Sequence, residues 1–184
     1  EIFQGDENKI ILEADENLHD IIFTEVENGV LKIYSEKNIW KAKSKKVFVT
    51  VKNLHELSAT SGAFVNNETI FKADTLTVIA TSGAEINFSV EANSIITVAT
   101  SGADLKIAGK ANYHNSNATS GASIRAKSLE SATVFANVTS GADIDIFASE
   151  TFNANATSGG DINYFGNPKK ATKKTTSGGS ISGN

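Results

Sequence analysis

Hydrophobic and polar positions alternate through most of this chain, and the alternation restarts every 19 residues or so. Each restart carries the tripeptide Thr-Ser-Gly, with glycines at Gly62, Gly83, Gly102, Gly121, Gly141, Gly159 and Gly178. Three residues before the glycine stand Ala59, Ala80, Ala99, Ala118, Val138, Ala156 and Thr175. Three after it stand Val65, Ile86, Leu105, Ile124, Ile144, Ile162 and Ile181. Five after it, from the second repeat onward, come Phe88, Ile107, Ala126, Ile146 and Tyr164. The positions between are mostly polar. A period of two is the signature of a strand, because successive side chains point to opposite faces of a sheet. A period near 19 repeated seven times is the signature of a solenoid, whose turns bury their apolar face only against one another. About 19 residues at roughly 3.3 Å each give a turn perimeter near 60 Å, enough for two or three strands and their corners. The pattern therefore predicts an all-β chain folded as a parallel β-helix, with equivalent residues stacked about 4.8 Å apart on successive rungs.

Residues 1–56 lack the Thr-Ser-Gly mark and read as irregular strands that cap the stack, while the regular coils occupy 57–184, the whole forming one domain. Lys9 to Ala14, Ile21 to Glu25, Val30 to Tyr34 and Val47 to Val51 have strand character. Asn28-Gly29 between two of them fits either a two-residue hairpin or a corner of an early coil. Terminal turns of a solenoid are expected to be atypical, because they close an otherwise open sheet edge. Lys169, Lys170, Lys173 and Lys174 suit a charged last rung that resists pairing with another chain.

Composition narrows the function classes. At 40% hydrophobic residues and a net charge of -4, the chain is globular and offers no basic surface for nucleic acid. The stretch Trp40 to Lys46 is a solvated loop rather than a polybasic tract. Cysteine is absent, which removes disulfides and thiolate metal sites. No apolar run approaches the roughly 18 residues of a membrane span. The chain contains no methionine and opens on Glu1-Ile2-Phe3, as a trimmed or mature chain would, and an upstream export signal is compatible with this.

Leu12 to Leu18, Thr24 to Ile33, Val49-Thr50-Val51 running to Leu57, and the repeated Ala-Thr-Ser-Gly-Ala together resemble the auto-transporter adhesin family that carries a head GIN domain. The resemblance spans nearly the whole chain. It implies a right-handed parallel β-helix exported in Gram-negative bacteria to the periplasm, outer membrane or cell surface. The family supplies no catalytic motif, so no functional residue is carried over.

Four constellations bear on chemistry. The column Ser61, Ser82, Ser101, Ser120, Ser140, Ser158 and Ser177 invites a nucleophile reading, but a catalytic serine needs a base in hydrogen-bond reach. The histidines His19, His55 and His114 all lie outside the motif. The expected role is architectural: a buried hydroxyl ladder with the adjoining glycines 62, 83, 102, 121, 141, 159 and 178 permitting a tight bend. A single threonine column is too narrow for an ice-binding array and reflects strand propensity. Sequons at Asn67, Asn87, Asn117, Asn137 and Asn155 follow largely from ladder geometry, and no glycosylation is inferred.

The fourth constellation is acidic. Glu85, Asp104, Asp143 and Asp161 share one outward offset, interrupted by Ser123, and Asp145 lies beside Asp143. Such a face can hold calcium or a uronate chain, although calcium wants six to eight oxygens and a lyase also needs a base and cations. Only Lys106 and Arg125 stand in register. The expectation is a solvated face with weak glycan or ion binding at most, no catalytic residue, no bound metal and no cofactor. The function expected is that of an exported, non-enzymatic surface protein contacting glycan or extracellular matrix. The alternative is a polysaccharide lyase or hydrolase working through the acidic column, and a third is an envelope spacer without a ligand.

Overall fold

The computed structural model describes residues 1–184. Strand β1 (Ile2–Gln4) pairs in parallel with β5 (Lys45–Val51), whose other edge takes β2 (Lys9–Ala14) antiparallel. Between them β3 (Ile22–Glu27) and β4 (Val30–Ser35) form an isolated antiparallel hairpin. Its two-residue connection, Asn28 at φ 51° and Gly29 at φ 78°, has the positive φ values that a type I′ turn demands and that Asn-Gly supplies most readily. Of the two arrangements open to Asn28-Gly29, the chain adopts the hairpin.

From residue 56 onward every pairing is parallel. The strands β6 (Glu56–Ala59), β7 (Phe64–Asn66), β8 (Phe71–Thr81), β9 (Glu85–Thr100), β10 (Asp104–Ala118), β11 (Ser123–Val138), β12 (Asp143–Phe147), β13 (Thr151–Ala156), β14 (Asp161–Phe165), β15 (Lys170–Thr175) and β16 (Ser180–Gly183) form one eleven-stranded set. Each strand pairs with its counterpart one coil later, which makes the chain a parallel β-solenoid of about seven turns. Register follows the sequence columns: Leu105 lies opposite Ile86 and Ile124, and Ile144 opposite Ile124 and Ile162. These isoleucines and leucines are fully buried in a core cluster that runs the length of the stack and reaches Ile2 in β1. Burying one such side chain contributes roughly 1.5–3 kcal/mol, repeated at every rung.

Unequal coil lengths are absorbed locally. The coil ending at Gly141 is 20 residues, one longer than its predecessor. The register between β10 and β11 slips accordingly, from Lys106 opposite Arg125 to Ala108 opposite Ser128, a one-residue bulge. The coil ending at Gly83 is longer still. There Asn67 replaces lost ladder bonds, its Oδ1 accepting from the Ser89 N–H at 2.8 Å and its Nδ2 donating to the Ser89 carbonyl at 2.8 Å. The last rung is closed by chemistry rather than by a further sheet. Tyr164 stacks on Phe152 with ring centroids 4.5 Å apart, and Lys173 Nζ lies over the Tyr164 ring, 4.3 Å from its centroid.

The Thr-Ser-Gly motif forms a corner, with its Ser-Gly pair outside the strands in every copy. Ser has φ of 50–57° and Gly 66–78° in all seven copies, and the following N–H donates back to the Thr carbonyl at 3.0–3.3 Å. Each is therefore a four-residue turn with two left-handed central residues, the same geometry as Asn28-Gly29. The serines consequently do not form the buried ladder expected of them. All seven are exposed, because a left-handed residue at a convex corner carries its side chain outward. In six turns the Ser hydroxyl lies 3.3–3.5 Å from the hydroxyl of its own preceding Thr. What stacks is the backbone: the glycine N–H donates to the Ser carbonyl of the next rung, as in Gly83 to Ser101 at 3.1 Å and Gly121 to Ser140 at 3.1 Å.

Candidate functional site

Two outward faces flank each Thr-Ser-Gly corner, and they differ in charge. The face that follows the corner carries the acidic column. Register places Glu85, Asp104, Ser123, Asp143 and Asp161 directly opposite one another on five successive rungs, with Asp145 one outward position further along. All five acidic residues named from the sequence thus share a face. Their side chains are engaged mainly with neighbouring polar groups. Arg125 donates Nη1 to Asp104 Oδ1 at 2.9 Å and stands 2.7 Å from Oδ2. Asn87 donates to Glu85 at 3.0 Å, and Asn163 to Asp145 at 3.1 Å. No group of three or more His, Asp or Glu residues is placed to hold a metal ion. An exposed, solvent-screened ion pair such as Arg125–Asp104 contributes at most about 1 kcal/mol.

A second charged feature runs along a corner of the coil. Lys72, Glu91, Lys110 and Glu130 lie in one register column, where their charges alternate. Beside them Ala73, Ala92, Ala111, Phe147 and Ser149 help line an open groove of about 840 Å³. Sequence reasoning passed over this column, although the alternating Lys and Glu at constant spacing were visible. The Lys110–Glu130 distance is 3.7 Å and both side chains are largely exposed.

The remaining polar group of note is internal. His114 occupies the buried column Leu76, Ile95, His114, Val134, Phe152. Its Nε2 lies 2.9 Å from the Thr97 hydroxyl, which in turn donates to Ser116 at 3.1 Å, and its Nδ1 has no hydrogen-bond partner. Burial without a compensating charge pushes the imidazole down from its usual 6.5 to about 3, since the charged form is the one desolvation penalises. His114 is therefore neutral and out of reach of the exposed corner serines. His19 and His55 are exposed. Of the exposed aromatics, Trp40 stands out on the loop before β5 and Phe64 heads the acidic column.

A stacked parallel coil with repetitive outer faces is the architecture of a parallel β-solenoid. The chain belongs to the family described as "Putative auto-transporter adhesin, head GIN domain", whose profile matches residues 1–168. Solved structures reproduce the fold. A putative adhesin from Bacteroides fragilis superposes with a TM-score of 0.91 at 19% identity, covering 100% of this chain and 86% of the other. A putative adhesin from Parabacteroides merdae gives 0.81 at 16% identity, with 100% and 87% coverage. A protein described as a putative lipid binding protein from Parabacteroides distasonis gives 0.65 at 18% identity, with 100% and 91% coverage. No protein with curated annotation matches the sequence.

Proposed function

We propose that this protein is an exported, adhesin-like binding module that presents a β-solenoid face at the envelope or cell surface of a Gram-negative bacterium and contacts glycan or matrix without converting it. The observation that carries the reading is the uniformity of the outer faces. Corner serines, threonines and the acidic column recur rung after rung, whereas catalysis calls for one preorganised cluster. Repetition suits many weak contacts summed over a surface. Membership of the adhesin family supports the same reading, and no helix is long and apolar enough to cross a membrane.

The test separates binding from turnover. Purified protein is incubated with polygalacturonate and alginate while unsaturated products and reducing ends are followed, and in parallel is applied to immobilised mucin, matrix proteins and a glycan array. Retention without product formation is expected. Turnover that disappears in Asp104→Asn, Asp143→Asn or Glu91→Gln would replace this reading with a carbohydrate-active enzyme.

A further inference from the structure

Across its central rungs the face that precedes the corner carries no charge. Its five central segments are Thr75–Thr81, Ser94–Thr100, Tyr113–Thr119, Thr133–Thr139 and Thr151–Thr157, held in continuous register. In each, the alternate residues beginning with the first point outward, while those between are buried. The outward set of twenty residues contains only Thr, Ser, Asn, Ile, Val, Tyr and Phe. Soluble surfaces are typically roughly 25–35% charged, so about five charges are missing from this one. They are present on the opposite side of the same corner and return only at the ends of the stack, with Glu56, Lys170 and Lys174.

We propose that this neutral face is a binding platform for an uncharged polysaccharide, with its principal subsite beside Phe135. The inference rests on the binding role proposed above and names the face and the ligand class. Three observations converge on it. First, the five central rungs offer no counter-charge to attract a uronate, a phosphate or an anionic lipid headgroup; the cations of the face, Lys170 and Lys174, stand on the terminal rung opposite Thr151 and Asn155, and the uronate arm of the test below reads their effect. Second, fifteen of the twenty outward residues are Thr, Ser or Asn. An apolar partner would strip water from those groups without replacing their hydrogen bonds, at a cost. Sugar hydroxyls both donate and accept, and so match amides and hydroxyls alike. Third, the face carries two exposed rings, Tyr113 at 53% and Phe135 at 46% exposure. Tyr113 pairs with Thr133, two residues before Phe135, so the rings lie diagonally on adjacent rungs. The electron-rich face of such a ring suits the C–H face of a pyranose.

Phe135 borders a shallow depression of about 170 Å³, completed by Asn137, Asn153, Asn155, Ala154 and Thr172. That is below the roughly 300–1,000 Å³ of sites for drug-sized ligands and of a size for one sugar ring. Asn137 is held by its Nδ2 bond to Asn117 Oδ1 at 3.2 Å. The side-chain amides of Asn153 and Asn155 line the depression and make no hydrogen bond within the protein, which leaves them free to engage hydroxyls.

Affinity electrophoresis of the full chain tests this, using native gels cast with dextran, laminarin, mannan or galactan and, separately, with alginate or polygalacturonate. At least one neutral polymer is expected to retard the protein. Phe135→Ala and Asn155→Ala should each weaken that retardation at least tenfold at unchanged melting temperature, while Glu85→Gln and Asp143→Asn leave it intact. Retardation by uronate polymers alone, lost in Asp143→Asn, would overturn the neutral platform and leave glycan binding standing. Retardation by none would overturn it together with glycan binding. Neutral-polymer binding that survives both face variants would place the site elsewhere and also overturn it.

Discussion

A Cβ built on Gly160 would lie 3.0 Å from both methyl groups of Val138. Gly160 follows the sixth Thr-Ser-Gly, where the second to fifth copies have buried alanines (Ala84, Ala103, Ala122 and Ala142). Val138 stands on the preceding rung, where the four preceding copies have Ala59, Ala80, Ala99 and Ala118. The larger residue at one place is matched by the smaller at the other, so the missing Cβ of Gly160 makes room for part of the extra bulk of Val138. Gly160→Ala is expected to destabilise the protein by about 1–3 kcal/mol through overpacking. In a Val138→Ala background the same change should be neutral or stabilising. Urea denaturation of the four proteins of this cycle measures the coupling, and additive effects would show that the two sites do not share that space.

The corner glycines and Gly109, inside β10, should fail differently. At Gly121 an added methyl meets open space but the backbone has φ +67°, so Gly121→Ala should cost about 1–2 kcal/mol of strain alone. At Gly109 the methyl would sit 2.0 Å from the Val90 carbonyl oxygen, a clash with backbone that no rotamer relieves. Gly109→Ala should lower the melting temperature far more than Gly121→Ala, or abolish folding.

Acid sensitivity should trace to His114. Its folded pKa, about 3, lies below the usual 6.5, so between those values the unfolded chain binds a proton that the folded one does not. Stability from this group is complete above about pH 6.5 and declines as pH falls toward 3, by up to several kcal/mol. His114→Leu, which restores the apolar column of Ile95 and Val134, should flatten the dependence of unfolding free energy on pH between 6.5 and 4. An unchanged slope in that variant would assign acid sensitivity to other groups.

On the acidic face, Asp143 and Asp161 are directly opposed on adjacent rungs. Like charges so placed repel, and Asp143→Asn is expected to raise stability by a few tenths of a kcal/mol at low ionic strength. The gain should vanish in 1 M salt, where the screening length is about 3 Å. Millimolar calcium should leave the melting temperature of the parent nearly unchanged. A rise of several degrees that Asp143→Asn removes would identify a calcium site instead.

The solenoid itself was legible in the sequence because its columns are redundant, and the acidic residues fell into register for the same reason. The role of the serines was not. Periodicity marks them as equivalent but does not reveal the sign of φ, and the tight bend expected at the glycines did not show that the serines turn with them. His114 was read only as a histidine outside the motif, because the columns were followed no further than four residues before each glycine and five after it. At seven before, it stands between Ile95 and Val134, where a buried imidazole is conspicuous. The neutral face escaped for a related reason: its defining property is an absence, and absences appear only once the two sides of each corner have been told apart.

The ladder bonds of the stack, Gly83 to Ser101 among them, run along its long axis, and each coil touches little beyond its two neighbours. A pull applied between the first rung and the last would therefore load these bonds one coil after another, as in unzipping, rather than all together. Each coil released would exchange about 4.8 Å of rung spacing for roughly 60 Å of slack chain. Held at its two ends, the protein would lengthen stepwise and dissipate work as it did so.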